Sequence, residues 1–147
     1  MADRFEELDA WKVARELANL IYVFGRKSGV SKDYSFKDQV QRAAVSVMNN
    51  IAEGFERGSN KDFAKFLFIA RGSVGEVRSM LYLALDQNYI TEEQFKEAYS
   101  LCVRDSQLCW GLIKHLQKTS GWKTGIQITL MMFIPALTSG FVAVQRV

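Results

Sequence analysis

The stretch QVQRAAVSVMNNIAEGFERGSNKDFAKFLFIARGSVGE, residues 39–76, decides how the chain folds. At about 100° per residue, Gln39, Arg42, Ser46, Asn50, Glu53 and Arg57 share a sector about 80° wide. Val40, Ala44, Val47, Met48, Ile51 and Phe55 fill the opposite side. One helix therefore carries an apolar stripe and a narrow polar one. A plain solvent face is rich in Lys and Glu. Gln, Ser and Asn suit a partly buried surface with specific hydrogen bonds. After the turn at Arg57, Gly58 and Ser59, a second helix begins. Its inward stripe is Phe63, Phe66, Leu67, Ala70, Val74, Val77, Leu81 and Leu85.

Working outward, apolar residues at Ala10, Ala14, Leu17, Ile21 and Phe24 recur every three to four positions, which predicts a helix over 9–27. Residues 28–34 read as a loop. Ser35, with Asp38 three positions on, predicts the cap of the helix over 35–58. Ser59 with Asp62 caps the next, which runs to about Gln87, where Asn88 suits a left-handed stop. Thr91 with Gln94 opens a fourth helix reaching about Lys118. No segment alternates long enough to be a strand. Four long helices with short connections predict an all-α, antiparallel up-down four-helix bundle. The domain is residues 1–118, followed by an apolar extension at 119–147.

The central stretch also carries a resemblance. Gln39, Arg42-Ala43, Ser46 and Asn50-Ile51-Ala52-Glu53-Gly54 resemble the signature of the four-helix-bundle proteins encoded in intervening sequences of bacterial 23S ribosomal RNA genes. Ser59, Phe63, Phe66-Leu67, Ala70, Gly72-Ser73 and Glu76 continue the match, and Phe5-x-x-Leu8-x-x-Trp11 precedes it. The resemblance covers roughly residues 5–118. It implies a ring-forming assembly, typically a homopentamer. It also points to relatives that are accessory variability proteins of diversity-generating retroelements, which bind a reverse transcriptase and nucleic acid. It implies no cofactor and no defined activity.

Composition narrows the function. The chain has 147 residues, 19 Lys and Arg against 16 Asp and Glu, and a net charge of +3. Lys123 and Arg146 lie beyond residue 118, which leaves 17 cations against 16 acids, or +1, for residues 1–118. That is weak for a nucleic-acid binder. Cys102 and Cys109 are about 10 Å apart along one helix, too far for a disulfide, and read as buried thiols of a reducing compartment. No secretory pattern opens the sequence, so the expected location is the cytoplasm.

No catalytic triad, phosphate loop or dinucleotide motif is present, and the expectation is a non-enzymatic protein with no metal. The lone histidine, His115, reads as a surface or capping residue near a helix end. Glu53 and Glu76 read as structural acids paired with Arg42, Arg57 or Arg78, or bonded to Ser and Asn. With Gln39, Ser46, Asn50 and Ser73 they form the structural polar stripe. Lys37, Arg42, Lys61, Lys65, Arg71 and Arg78 are the candidate contacts to RNA or DNA. Between Lys37 and Arg78 there are seven cations against five acids, a modest surface that a ring would multiply. Phe68, Ile69, Met80 and Leu83 lie off the inward stripe and are the candidate oligomer interface, because a helix apolar on two sides is buried on two sides. Gly72 and Gly75 in mid-helix point to close helix approach. Residues 126–144 form an uncharged, mostly apolar run broken by Pro135. It has three readings: an element packed on the bundle, an adventitious extension, or a membrane anchor.

Overall fold

A computed structural model describes residues 2–119. One 3-10 turn, Phe5–Glu7, leads into five α-helices: α1 (Asp9–Gly25), α2 (Ser28–Lys32), α3 (Tyr34–Glu56), α4 (Asn60–Asp86) and α5 (Glu92–Thr119). Among the described residues there is no strand. The long helices pack in a closed cycle. α1 touches α3, α3 touches α4, α4 touches α5 and α5 returns to α1, while the diagonal pairs do not meet. That is the up-down four-helix bundle the periodicity predicts.

The core follows from the stripes. Leu17 and Ile21 of α1, Val47 and Ile51 of α3, Leu67, Val74 and Leu81 of α4, and Ile113 and Leu116 of α5 are all fully buried. Burying each such side chain contributes about 1.5–3 kcal/mol against leaving it exposed. At the chain's own ends of these stripes the turns are set by capping. Ser59 Oγ accepts from the Asp62 amide at 3.1 Å. Thr91 and Gln94 form a reciprocal capping box, Thr91 N–H to Gln94 at 3.0 Å and Gln94 N–H to Thr91 at 3.2 Å. Asn88 takes the left-handed conformation, with φ 56°.

Three details depart from the sequence expectation. α1 ends at Gly25, short of 27. The expected loop over 28–34 contains α2. Its Val30 is buried and, with Phe24, Phe36, Leu81 and Ile90, lines one small enclosed space at that end of the bundle. The cap of α3 is Asp33, not Ser35: its carboxylate accepts from the Phe36 amide at 3.0 Å. Tyr89, in the connection between α4 and α5, donates its hydroxyl to the same carboxylate at 2.9 Å. That contact comes from 56 positions away, so no local pattern announces it.

A fourth departure concerns the apolar outer face of α4. Phe68, Ile69 and Leu83 are exposed, but Met80 is 8% exposed and belongs to the core. It lies one position before Leu81 at the edge of the inward stripe and joins the same buried cluster. The extension at 120–147, with its three readings, lies outside the described residues. No helix among the described residues is long and apolar enough to cross a membrane.

Candidate functional site

Two seams flank the outer side of α4, and every candidate site residue falls on one of them or away from both. The first seam, against α3, holds the polar stripe. Ser46 Oγ and Ser73 Oγ are hydrogen-bonded at 2.9 Å across the helices. Asn50 Nδ2 donates to the Ser46 carbonyl at 2.7 Å and to its hydroxyl at 3.0 Å. Ser73 donates in turn to the Ile69 carbonyl at 3.3 Å. Gln39 Nε2 donates to Glu76 at 3.4 Å. The side chains therefore hold each other in a relay from Asn50 through Ser46 to Ser73. Asn50 bonds within its own helix and reaches α4 only through Ser46.

The acids of the stripe are engaged as structural partners. Glu53 accepts from Arg57 at 2.7 Å. Arg42 pairs instead with Asp38, also at 2.7 Å. Both pairs are exposed i,i+4 contacts and contribute little to stability. The six candidate nucleic-acid cations do not assemble into one patch. Lys37 and Arg42 stand at the start of α3, and Lys61 and Lys65 at the start of α4. In an antiparallel pair those are opposite ends. Lys37 lies 5.6 Å from the centre of the Tyr34 ring. Lys61 and Lys65 are exposed.

The second seam, against α5, holds the remaining two cations among aromatic rings. The Arg71 guanidinium lies 4.8 Å from the centre of the Trp110 ring, and its Nε donates to Ser106 Oγ at 3.4 Å. The Arg78 guanidinium lies 4.9 Å from the centre of the Tyr99 ring and donates to the Tyr99 hydroxyl at 2.7 Å. Phe68 meets Trp110 edge to face at one end, and Tyr82 meets Phe95 and Tyr99 at the other. Sequence reasoning found the arginines but not their platforms. The signal was present as Phe95, Tyr99, Ser106 and Trp110, at steps of four, seven and four along α5.

Behind this seam lies a residue that sequence reasoning missed. Asp105 is fully buried, and neither carboxylate oxygen has a hydrogen-bond partner. Burial pushes its carboxyl up to about 7, because the charged form loses its water. Cys102 and Cys109 flank it on the inward face of α5, and both are free and buried. Burial pushes the Cys102 thiol up to about 12, with Asp105 adding to the effect and Arg78 opposing it. Cys109 moves the same way, first through burial, then through Asp105. Thiols held protonated are poor nucleophiles. Among the described residues no three His, Cys, Asp or Glu side chains converge as metal ligands. His115 is exposed on the last turns of α5.

The bundle, its polar seam and the run of Asn50 to Gly54 coincide with a described family. The family model of the 23S rRNA-intervening sequence protein matches residues 6–110. The chain belongs to that family. No curated protein matches it. Among solved structures it is similar to a protein of unknown function from the S23 ribosomal protein family of Bacteroides thetaiotaomicron. The two share 24% identity with a TM-score of 0.65 over 71% of this chain and 98% of that one. At that identity the likeness concerns the fold. Within this intervening-sequence bundle, the glycine that closes the central motif has a visible reason. A Cβ on Gly54 would stand 2.6 Å from Phe66 Cβ and 3.1 Å from Phe63 Cδ2, so α3 and α4 approach there at glycine distance.

Proposed function

We propose that this intervening-sequence protein is a non-enzymatic binding or scaffolding module that works as a homo-oligomer, a homopentamer by its family resemblance. The observation that carries the reading is the outer face of α4. Ile69 and Leu83 are 44% and 47% exposed on the side that carries the Ser46–Ser73 link. An apolar pair beside half-buried, mutually bonded polar groups has the make-up of an interface core and its rim. The test is light scattering of the full chain at micromolar concentration. Several subunits per particle are expected, and a monomer would remove the reading.

A second reading is an accessory protein for nucleic acid or a reverse transcriptase. Its support is local: Lys61 and Lys65 are exposed, and neither has an ion pair among the described residues. Binding of this kind is sequence-tolerant and falls steeply with salt. A shift of RNA or DNA at low salt that disappears in Lys61→Gln/Lys65→Gln supports it. An unshifted band at low salt leaves the scaffold reading alone.

A further inference from the structure

The α4–α5 seam carries two arginines that no carboxylate among the described residues neutralises. Elsewhere Arg4, Arg42 and Arg57 each pair with an acid at 3.5 Å or less, while the more scattered Arg15, Arg26 and Arg104 have no such pair among the described residues. Arg71 and Arg78 bond only to the hydroxyls of Ser106 and Tyr99. Nε of Arg78 is buried and has no acceptor. Seven positions apart on one helix, the two stand about 10 Å apart along its axis. A guanidinium laid on a ring is held in one plane. Each arginine keeps N–H groups beyond the one given to a hydroxyl, and a guanidinium fork matches a carboxylate.

Gly75 lies between the two arginines on the same face, and Gly72 lies one turn from Phe68. Nothing comes within 4 Å of where a Cβ would stand on either glycine. Each costs about 1 kcal/mol against Ala in a helix interior, and no contact within the bundle uses the space. At Gly75 the floor of the seam is thus bare backbone. Its rim is Phe68, Tyr82 and Trp110, all exposed.

We infer that this seam docks an acidic amphipathic helix of a partner protein. The partner lies along Gly75, with two carboxylates one heptad apart on Arg71 and Arg78. Three features select this occupant. Trp, Tyr and Arg gathered around a desolvated centre are the residue types that dominate protein–protein hot spots. The glycine floor admits a helix at close range. Two uncompensated cations on a chain of net charge +3 match a carboxylate pair, whereas a nucleic-acid footprint needs a longer basic stripe. The inference rests on the binding-module reading but uses the α5 side of α4. The self-association residue Ile69 lies about 120° from Gly75 around α4, toward α3, so Ile69→Glu separates the two.

The test uses the full chain and a fluorescein-labelled helical peptide of about 18 residues, with Glu at positions i and i+7 of an otherwise Ala- and Leu-faced helix. Fluorescence anisotropy is expected to saturate and to weaken with added salt. Arg71→Gln/Arg78→Gln should weaken binding at least tenfold. Gly75→Leu should do the same while leaving both charges in place, and Ile69→Glu should have no effect. Arg71→Lys/Arg78→Lys keeps the charge but not the fork, and is expected to fall between. Circular dichroism confirms that each variant is folded. Any one of five results overturns the inference. The first is no binding up to about 1 mM peptide. The second is equal binding of the peptide with Gln for Glu. The third is full binding by Gly75→Leu. The fourth is stronger, Arg71- and Arg78-dependent binding of an oligothymidylate, which would assign the seam to nucleic acid. If self-association alone shields Trp110 from quenchers, a second copy is the occupant and the inference again falls.

Discussion

Asp105 is the residue whose chemistry is most out of keeping with its surroundings. A carboxyl with no hydrogen bond inside an apolar core is held neutral because ionising it there is costly. Its folded value of about 7 lies above the value of about 3.9 for an exposed Asp. Folding therefore favours the protonated form. That contribution is fully present below about pH 4, is lost as pH rises through 7, and stays lost above it. Thermal melts of the wild-type chain are expected to show a fall in midpoint from pH 5 to pH 8. Asp105→Asn should flatten that slope, and Asp105→Leu should raise stability at pH 8 by about 1–3 kcal/mol. A wild-type midpoint that does not move with pH would show that the carboxyl has found a partner.

At the scale of elements, α3 and α4 form the most intimate pair, and Gly54 governs how close they come. Adding one methyl there forces the Phe63 and Phe66 backbone region outward, since a Cβ cannot stand 2.6 Å from another. Gly54→Ala is expected to destabilise the bundle by about 1–3 kcal/mol, although alanine is the better helix former. Urea unfolding measures it, and a neutral or stabilising result would mean that the helices shift apart freely. The same pair shows what a cap is worth. Asp33 satisfies the Phe36 amide and holds Tyr89, so Asp33→Ala should cost about 1–2 kcal/mol. Ser35→Ala, expected from sequence to matter, should change little, because Ser35 is exposed and does not cap α3.

For the whole molecule, the four long helices bury one another's stripes in a closed cycle. A chain ending at Thr119 is therefore expected to keep its helical signal by circular dichroism and its subunit number by sizing. It should also be more soluble, because residues 126–144 are a long uncharged apolar run of a kind that promotes association. Loss of helicity on truncation would make the extension part of the core. Ile69→Glu/Leu83→Glu is expected to dissociate the oligomer while each subunit stays folded. Both positions are open in the subunit, so a buried charge arises only in the assembly. A particle of unchanged size would move the interface elsewhere.

The four long helices, their order and most of their inward faces were legible in the sequence because they depend on a local period of 3.6 residues, which binary patterning writes directly; the short α2 was not. The caps at Ser59 and Thr91 and the left-handed Asn88 were legible for the same reason: cap and partner lie within four residues. That Cys102 and Cys109 are free thiols also followed from their spacing along one helix. Tertiary structure alone decided the rest. Asp33 caps α3 through a local bond, but the Tyr89 hydroxyl that also holds its carboxylate comes from another connection. Met80 joined the core cluster. The candidate cations separated because antiparallel packing sends the starts of α3 and α4 to opposite ends. Arg71 and Arg78, half-buried, lie against aromatic rings of α5. Each of these outcomes depends on which residues far apart in sequence come within a few ångströms. No single helix carries that information.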